Sequence, residues 1–179
     1  MTLLSKQDLE APAYEDRHED YEELWSEILP GLWQGGTADH DVRRQLIKPQ
    51  ITPKDFDTVV TMYAHANPVD WFVREIRYGV WDSDMADFDV EELFDIVDIA
   101  HRDWKRGKQV LVRCQAGWNR SGLVTALILI RDGWDPQDAI KLIRKKRSKH
   151  ALCNNEFVRW LVREMKPEDW RGKEFGLAA

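Results

Sequence analysis

Cysteine is scarce in this chain. Two residues in 179, Cys114 and Cys153, cannot build a disulfide framework, so a reducing compartment is expected. Long apolar runs are missing as well. The longest, Leu123 to Ile130, is too short to span a bilayer, and the opening M-T-L-L-S-K-Q-D carries no apolar signal core. The expectation is a soluble, cytoplasmic, monomeric protein with no membrane partner. An excess of positive charge is absent too: the net charge of −6 excludes a whole-protein field for nucleic acid. Five scattered histidines show no ligand spacing, so neither a metal nor a cofactor is expected. No internal repeat or low-complexity linker interrupts the chain.

What is present suits one domain with a real core: 179 residues, 43% apolar, with nine tryptophans as large burial anchors. Charge is uneven. Acidic residues crowd positions 8–23 (Asp8, Glu10, Glu15, Asp16, Glu19, Asp20, Glu22, Glu23), and basic residues crowd Lys141 to Lys149. Residues 1–23 read as a mobile acidic arm, 24–168 as the domain, and 169–179 as a frayed tail.

Strand and helix signals alternate. Ile28 to Gln34 reads as a first strand, placed at an edge by Pro30, with Gly35-Gly36 turning the chain. Asp41 to Ile47 reads as a short helix. Phe56 to Tyr63 is rich in β-branched residues and reads as a strand, and Trp71 to Val80 contains another. Asp89 to Trp104 is a helix with Val90, Leu93, Phe94, Val97, Ala100 and Trp104 on one face; Asp89 with Glu92 forms its cap, and Gly107 ends it. Gln109 to Arg113 is a short buried strand. Ser121 to Asp132 is a helix apolar nearly all round, hence central, and stopped by Gly133. Asp135-Pro136 opens the next helix, to about Ser148. Asn154 or Asn155 caps a last one through Met165. This interleaving predicts an α/β domain with a central, mixed, partly parallel sheet flanked by helices.

The stretch V-L-V-R-C-Q-A-G-W-N-R-S-G, Val110 to Gly122, concentrates the chemistry. A strand runs into Cys114, a short loop follows, then Arg120, Ser121 and the apolar helix. A thiol beside a cation and a helix N-terminus is favoured as thiolate, the nucleophilic form. Backbone N–H groups between Gln115 and Arg120 (Gln115, Ala116, Gly117, Trp118, Asn119) can curl round an anion, with Gly117 permitting the tight turn. The planar fork of Arg120 matches two phosphate oxygens, and the Ser121 hydroxyl can donate to the sulfur as it leaves. The blander alternative is a buried apolar thiol.

C-Q-A-G-W-N-R-S resembles the C-x5-R-[ST] signature of the cysteine-dependent protein tyrosine phosphatase superfamily, and the chain is most similar to its small dual-specificity branch. The resemblance runs over about residues 25–165 and includes E-I-L-P-G-L-W-Q-G-G and the N-x-x-F of Asn154 to Phe157. It implies a mixed sheet flanked by helices, no metal, and a phosphocysteine intermediate. It also implies that Asn154 braces the phosphate loop. One position departs: the usual histidine before the cysteine is Arg113, which keeps a donor and a charge for loop support.

The leaving oxygen needs a proton, normally from a loop carboxylic acid. W-D-S-D-M-A-D, Trp81 to Asp87, is such a loop. Asp82, 32 residues before Cys114, resembles the family's acid in spacing; Asp84 is the runner-up, while Asp87 and Asp89 read as capping and solubilising residues. Trp118 reads equally as pocket rim or as packing, and Asn119 as a brace of the loop through side-chain to backbone bonds. The basic run Lys141 to Lys149 reads mostly as a solvated helix face. Cys153 reads first as a packing residue, with a resolving thiol for an oxidised Cys114 as the alternative.

A phosphatase of phosphotyrosine, with phosphoserine and phosphothreonine as further substrates, follows from this reading, its partner being a phosphorylated protein or peptide. G-W-N-R-S-G also resembles the loop of RNA 5′-triphosphatases of the same superfamily. A polyanion needs a basic approach, and Gln115, Ala116, Trp118 and Asn119 offer none. A non-catalytic phosphate-binding module is the third alternative.

Overall fold

The computed structural model describes residues 23–37 and 50–166. Most of the expected acidic arm, the expected helix Asp41 to Ile47 and the expected tail lie outside the described residues.

Five strands form one mixed sheet: β1 (Trp25–Leu29), β2 (Leu32–Gly35), β3 (Thr58–Thr61), β4 (Arg74–Arg77) and β5 (Val110–Arg113). Their spatial order is β1-β2-β5-β3-β4. Only β1 runs antiparallel, against β2; the pairs β2–β5, β5–β3 and β3–β4 are parallel. Strand β5 is central, and all four of its residues are buried. Val110 and Val112 face the helical side, whereas Leu111 faces a second core with Ile51, Phe56, Val59 and Val73. A strand covered on both faces reads as a continuous apolar run, as V-L-V does.

The expected single first strand is in fact a hairpin. Pro30-Gly31 occupies the turn between β1 and β2, and Gly31 has φ 81°. Proline followed by a positive-φ glycine is the pairing a type II turn favours, and it outweighs the continuous apolar pattern. Gly35-Gly36 does not turn the chain. Gly35 is the last residue of β2, and the Gly36 N–H still donates to the Leu24 carbonyl at 3.1 Å.

Four α-helices are described: α1 (Val90–Lys105), α2 (Arg120–Arg131), α3 (Pro136–Lys146) and α4 (Asn155–Arg159), the last continuing into a π-helical turn, Trp160–Glu164. The side chain of Asp89 caps α1 by accepting from the Glu92 N–H, and Asp135 caps α3 ahead of Pro136. Residues Arg120 to Ile130 of α2 are all buried, which makes it the centre of the helical layer. Leu123, Leu127 and Leu129 are fully buried there; each such side chain contributes roughly 1.5–3 kcal/mol relative to exposure. Among the described residues, no helix is long and apolar enough to cross a membrane.

Candidate active site

Arg113 at the end of β5 stands level with Gly35 of β2 and Thr61 of β3. Cys114 therefore leaves the sheet between two parallel neighbours, at the carboxyl ends where open α/β sheets bind ligands. Its N–H donates to the Gly35 carbonyl at 3.2 Å.

From Gln115 to Trp118 every loop carbonyl is engaged from outside, and that of Asn119 accepts the first bond of α2. Gln115 O accepts from the Thr37 N–H at 3.1 Å. Ala116 O accepts from Arg147 Nη2 at 3.5 Å, and Gly117 O from Gln34 Nε2 at 3.1 Å and Arg147 Nε at 3.3 Å. Trp118 O accepts from the Leu152 N–H at 3.2 Å, and Asn119 O from the Leu123 N–H at 2.8 Å. In a trans peptide the N–H points opposite its C=O, and no cis bond occurs among the described residues. The amides after each outward carbonyl thus turn inward, forming an anion-binding concavity. Gly117 has φ 77°, and a Cβ there would stand 2.4 Å from the Gly35 carbonyl carbon. No other residue fits that turn.

The Cys114 side chain lies in this concavity, 1% exposed. Its Sγ accepts from the Gly117 N–H at 3.3 Å and lies 3.3 Å from Ser121 Oγ. Arg120 is also buried. It donates through Nη1 to the Val80 carbonyl at 3.1 Å and lies over the Tyr63 ring at 5.4 Å. Its Nε has no hydrogen-bond partner. A buried, unpaired guanidinium N–H is costly without an acceptor, and an oxyanion in the bowl would supply one. Beside it opens a pocket of about 410 Å³ whose lining includes Tyr63 and Trp81, the carboxylates Asp82 and Asp87, and Gln115 with Arg120.

Asp82 reaches this pocket from the loop before α1. Its Oδ2 accepts from Asn119 Nδ2 at 3.1 Å and its Oδ1 from Asn154 Nδ2 at 3.0 Å. Asp84 is directed elsewhere: it caps the 3₁₀ turn Met85–Asp87 by accepting from the Ala86 N–H at 2.8 Å. Asp87 bonds Ser83 Oγ and lines the pocket rather than capping a helix.

The remaining expectations divide. Asn154 caps α4, with Oδ1 accepting from the Glu156 N–H, and its own N–H donates to Asn119 Oδ1 in the loop. Trp118 is buried, its ring 5.5 Å from that of His150. Cys153 is half-buried and free. Arg113 is directed at β3 and β4: Nε donates to Thr61 Oγ1 at 2.9 Å, and Nη2 to Glu75 Oε1 at 2.9 Å and to Asn67 O at 2.6 Å. Arginine is longer than histidine and reaches past the loop to a carboxylate. Burial pushes the Glu75 carboxyl up, but bonds from Arg77, Thr61 and Arg113 outweigh it and hold the group below its ordinary range.

Two loop braces escaped the sequence reading. Gln34 belonged to an apolar strand pattern. Arg147 belonged to the basic run, yet it bonds the loop carbonyls, Glu23 O and Ser26 Oγ. Arg144 likewise donates to the carbonyls of Ala151 and Leu152. Arg147 joins neighbouring segments to the loop, and Arg144 ties residues 151–152 to α3; neither belongs to a free basic face.

A thiol under inward amides, closed by an arginine, is an arrangement with the chemistry to hold an oxyanion above a nucleophile. The chain belongs to the dual specificity phosphatase catalytic-domain family, whose profile matches residues 43–166. It is 29% identical over 94 residues to the putative tyrosine phosphatase 123R of Invertebrate iridescent virus 6, a match covering 52% of this chain and 64% of the viral protein's length. Its fold is similar to that of human DUSP28 (TM-score 0.62, 21% identity, 78% of this chain and 90% of that one). It is also similar to the human tyrosine phosphatase-like serine/threonine/tyrosine-interacting protein (TM-score 0.58, 18% identity, 83% and 95%).

Proposed function

We propose that this chain hydrolyses phosphate monoesters on protein, phosphotyrosine first, with phosphoserine and phosphothreonine as further substrates. The supporting observation is the outward engagement of every carbonyl from Gln115 to Trp118, which leaves the following amides for an oxyanion. Preorganised donors of this kind stabilise charge as it develops. In the first step Cys114 Sγ attacks phosphorus, the P–O ester bond breaks, and Asp82 gives its proton to the leaving oxygen. In the second step water attacks the phosphocysteine, Asp82 takes the water's proton, and the S–P bond breaks. Ser121 Oγ, 3.3 Å from the sulfur, donates to the departing thiolate. Arg120 closes on the equatorial oxygens with the Nε that now lacks an acceptor.

The aromatic pair Tyr63 and Trp81 in the pocket lining suits an aryl ester, while a lining whose one cationic side chain among the described residues is Arg120 offers a polyanion little. Hence the RNA 5′-triphosphatase reading is disfavoured. The test compares phosphotyrosine peptide, phosphothreonine peptide and triphosphorylated RNA under identical conditions, with Cys114→Ser as control. Turnover of the tyrosine peptide, absent in Cys114→Ser, is expected. Preference for the RNA would overturn the substrate class. Equal rates for the native chain and Cys114→Ser would leave only a phosphate-binding module.

A further inference from the structure

Asp82 sits in a hydrogen-bond circuit that joins three segments far apart in sequence. The orientation of both asparagine amides in it is fixed by main-chain donors. Asn119 Oδ1 accepts from the Asn154 N–H at 3.0 Å, and Asn154 Oδ1 accepts from the Glu156 N–H at 3.0 Å. With each oxygen end so assigned, each Nδ2 end must donate. Asn119 Nδ2 meets Asp82 Oδ2 at 3.1 Å; Asn154 Nδ2 meets Asp82 Oδ1 at 3.0 Å and the Ser83 carbonyl at 2.8 Å. The carboxylate is thus gripped on both oxygens, once from the phosphate loop and once from the cap of α4. Asp82 itself is exposed and lies in neither helix nor strand, so these bonds are what orients it.

We propose that Asn119 and Asn154 are positioning residues for proton transfer, holding Asp82 at the pocket before any substrate arrives, so that the acid needs no separate closing step. The inference rests on the phosphatase reading above, with Asp82 as acid and then base. The fork suits the carboxylate left when the proton passes to the leaving oxygen; the same group regains a proton from the attacking water.

Leaving groups separate this role from a structural one, because protonation matters for a poor leaving group and little for a good one. Asn154→Ser keeps a hydroxyl to cap α4 but removes the amide donor. Turnover of phenyl phosphate is expected to fall about 10-fold and that of 2,4-dinitrophenyl phosphate by less than about two-fold, part of the roughly 10²–10⁴-fold supplied by a positioned acid. Asn119→Ala should steepen the leaving-group dependence in the same direction. In an Asp82→Asn background, Asn154→Ser should cause no further loss on phenyl phosphate, since the acid it positions is gone. Equal losses on both esters, or a full additional loss in that background, would overturn the inference and leave the phosphatase reading standing. Absence of Cys114-dependent turnover in the native chain would remove both.

Discussion

The phosphate loop and the acid loop meet at one pocket, yet they are held in different ways. From Gln115 to Trp118 the main chain itself is fixed: Thr37, Gln34, Arg147 and Leu152 bond its carbonyls from outside. From Trp81 to Asp87 the chain is held through side chains. Two asparagine amides grip Asp82, Asp84 caps its own short turn, and Trp81 is 77% exposed. The difference follows the chemistry each loop suits. Binding an oxyanion depends on several amide dipoles converging, so no single side chain can substitute for the backbone path. Delivering one proton depends on one carboxyl, which a pair of side chains can aim. The first loop is therefore intolerant of change at its glycine, while the second should lose function in graded steps.

Three substitutions or conditions test that contrast. Gly117→Ala should have the largest effect. The new Cβ meets backbone 2.4 Å away at a φ of 77°, so the loop must move, and a displacement near 1 Å costs about 10²-fold in turnover. The loss should be the same for good and poor leaving groups; retained activity would break the comparison. Arg147→Ala should come next. It releases the Ala116 carbonyl and one of two donors to Gly117, while Gln34 keeps the other. A loss of about 1.5–3 kcal/mol in unfolding free energy is expected from removed charge-assisted bonds, together with weaker competitive inhibition by inorganic phosphate. An unchanged leaving-group dependence would confine the damage to the cradle.

The smallest effect is in acid. Glu75 holds Arg113 at the base of the loop, with its carboxyl below the ordinary value of 4.5. A folded value below the unfolded one means that the contribution is complete above the unfolded value and disappears as pH falls through the folded one. Unfolding by urea should show stability flat near neutrality and falling below about pH 4.5. Glu75→Gln should remove part of that fall. An identical pH profile for the variant would show that the pair beneath the loop carries no stability.

Legibility in the sequence followed distance along the chain. Cys114, Gly117, Arg120 and Ser121 are successive parts of one strand–loop–helix unit, and that whole context, not the spacing alone, points to a phosphate trap. The buried run V-L-V and the all-apolar helix after Ser121 placed that unit centrally, as found. The Pro30-Gly31 hairpin was legible and was overridden by apolar pattern; a proline–glycine pair inside such a run is a turn signal. Arg147 was not legible. A basic helix end has one composition whether its guanidinium meets solvent or two carbonyls from a loop thirty positions earlier. Nor did Asn154 reveal its grip on Asp82, because a helix cap and a side-chain clamp need the same residue.

The outward-tied ring of carbonyls also has a consequence for the resting protein. A bowl assembled by its own scaffold, not by the ester, does not distinguish a phosphoryl group still attached to tyrosine from a free tetrahedral oxyanion of similar size. If the loop binds phosphate as proposed, released phosphate competes with the ester for the same bowl, and added inorganic phosphate is expected to slow turnover.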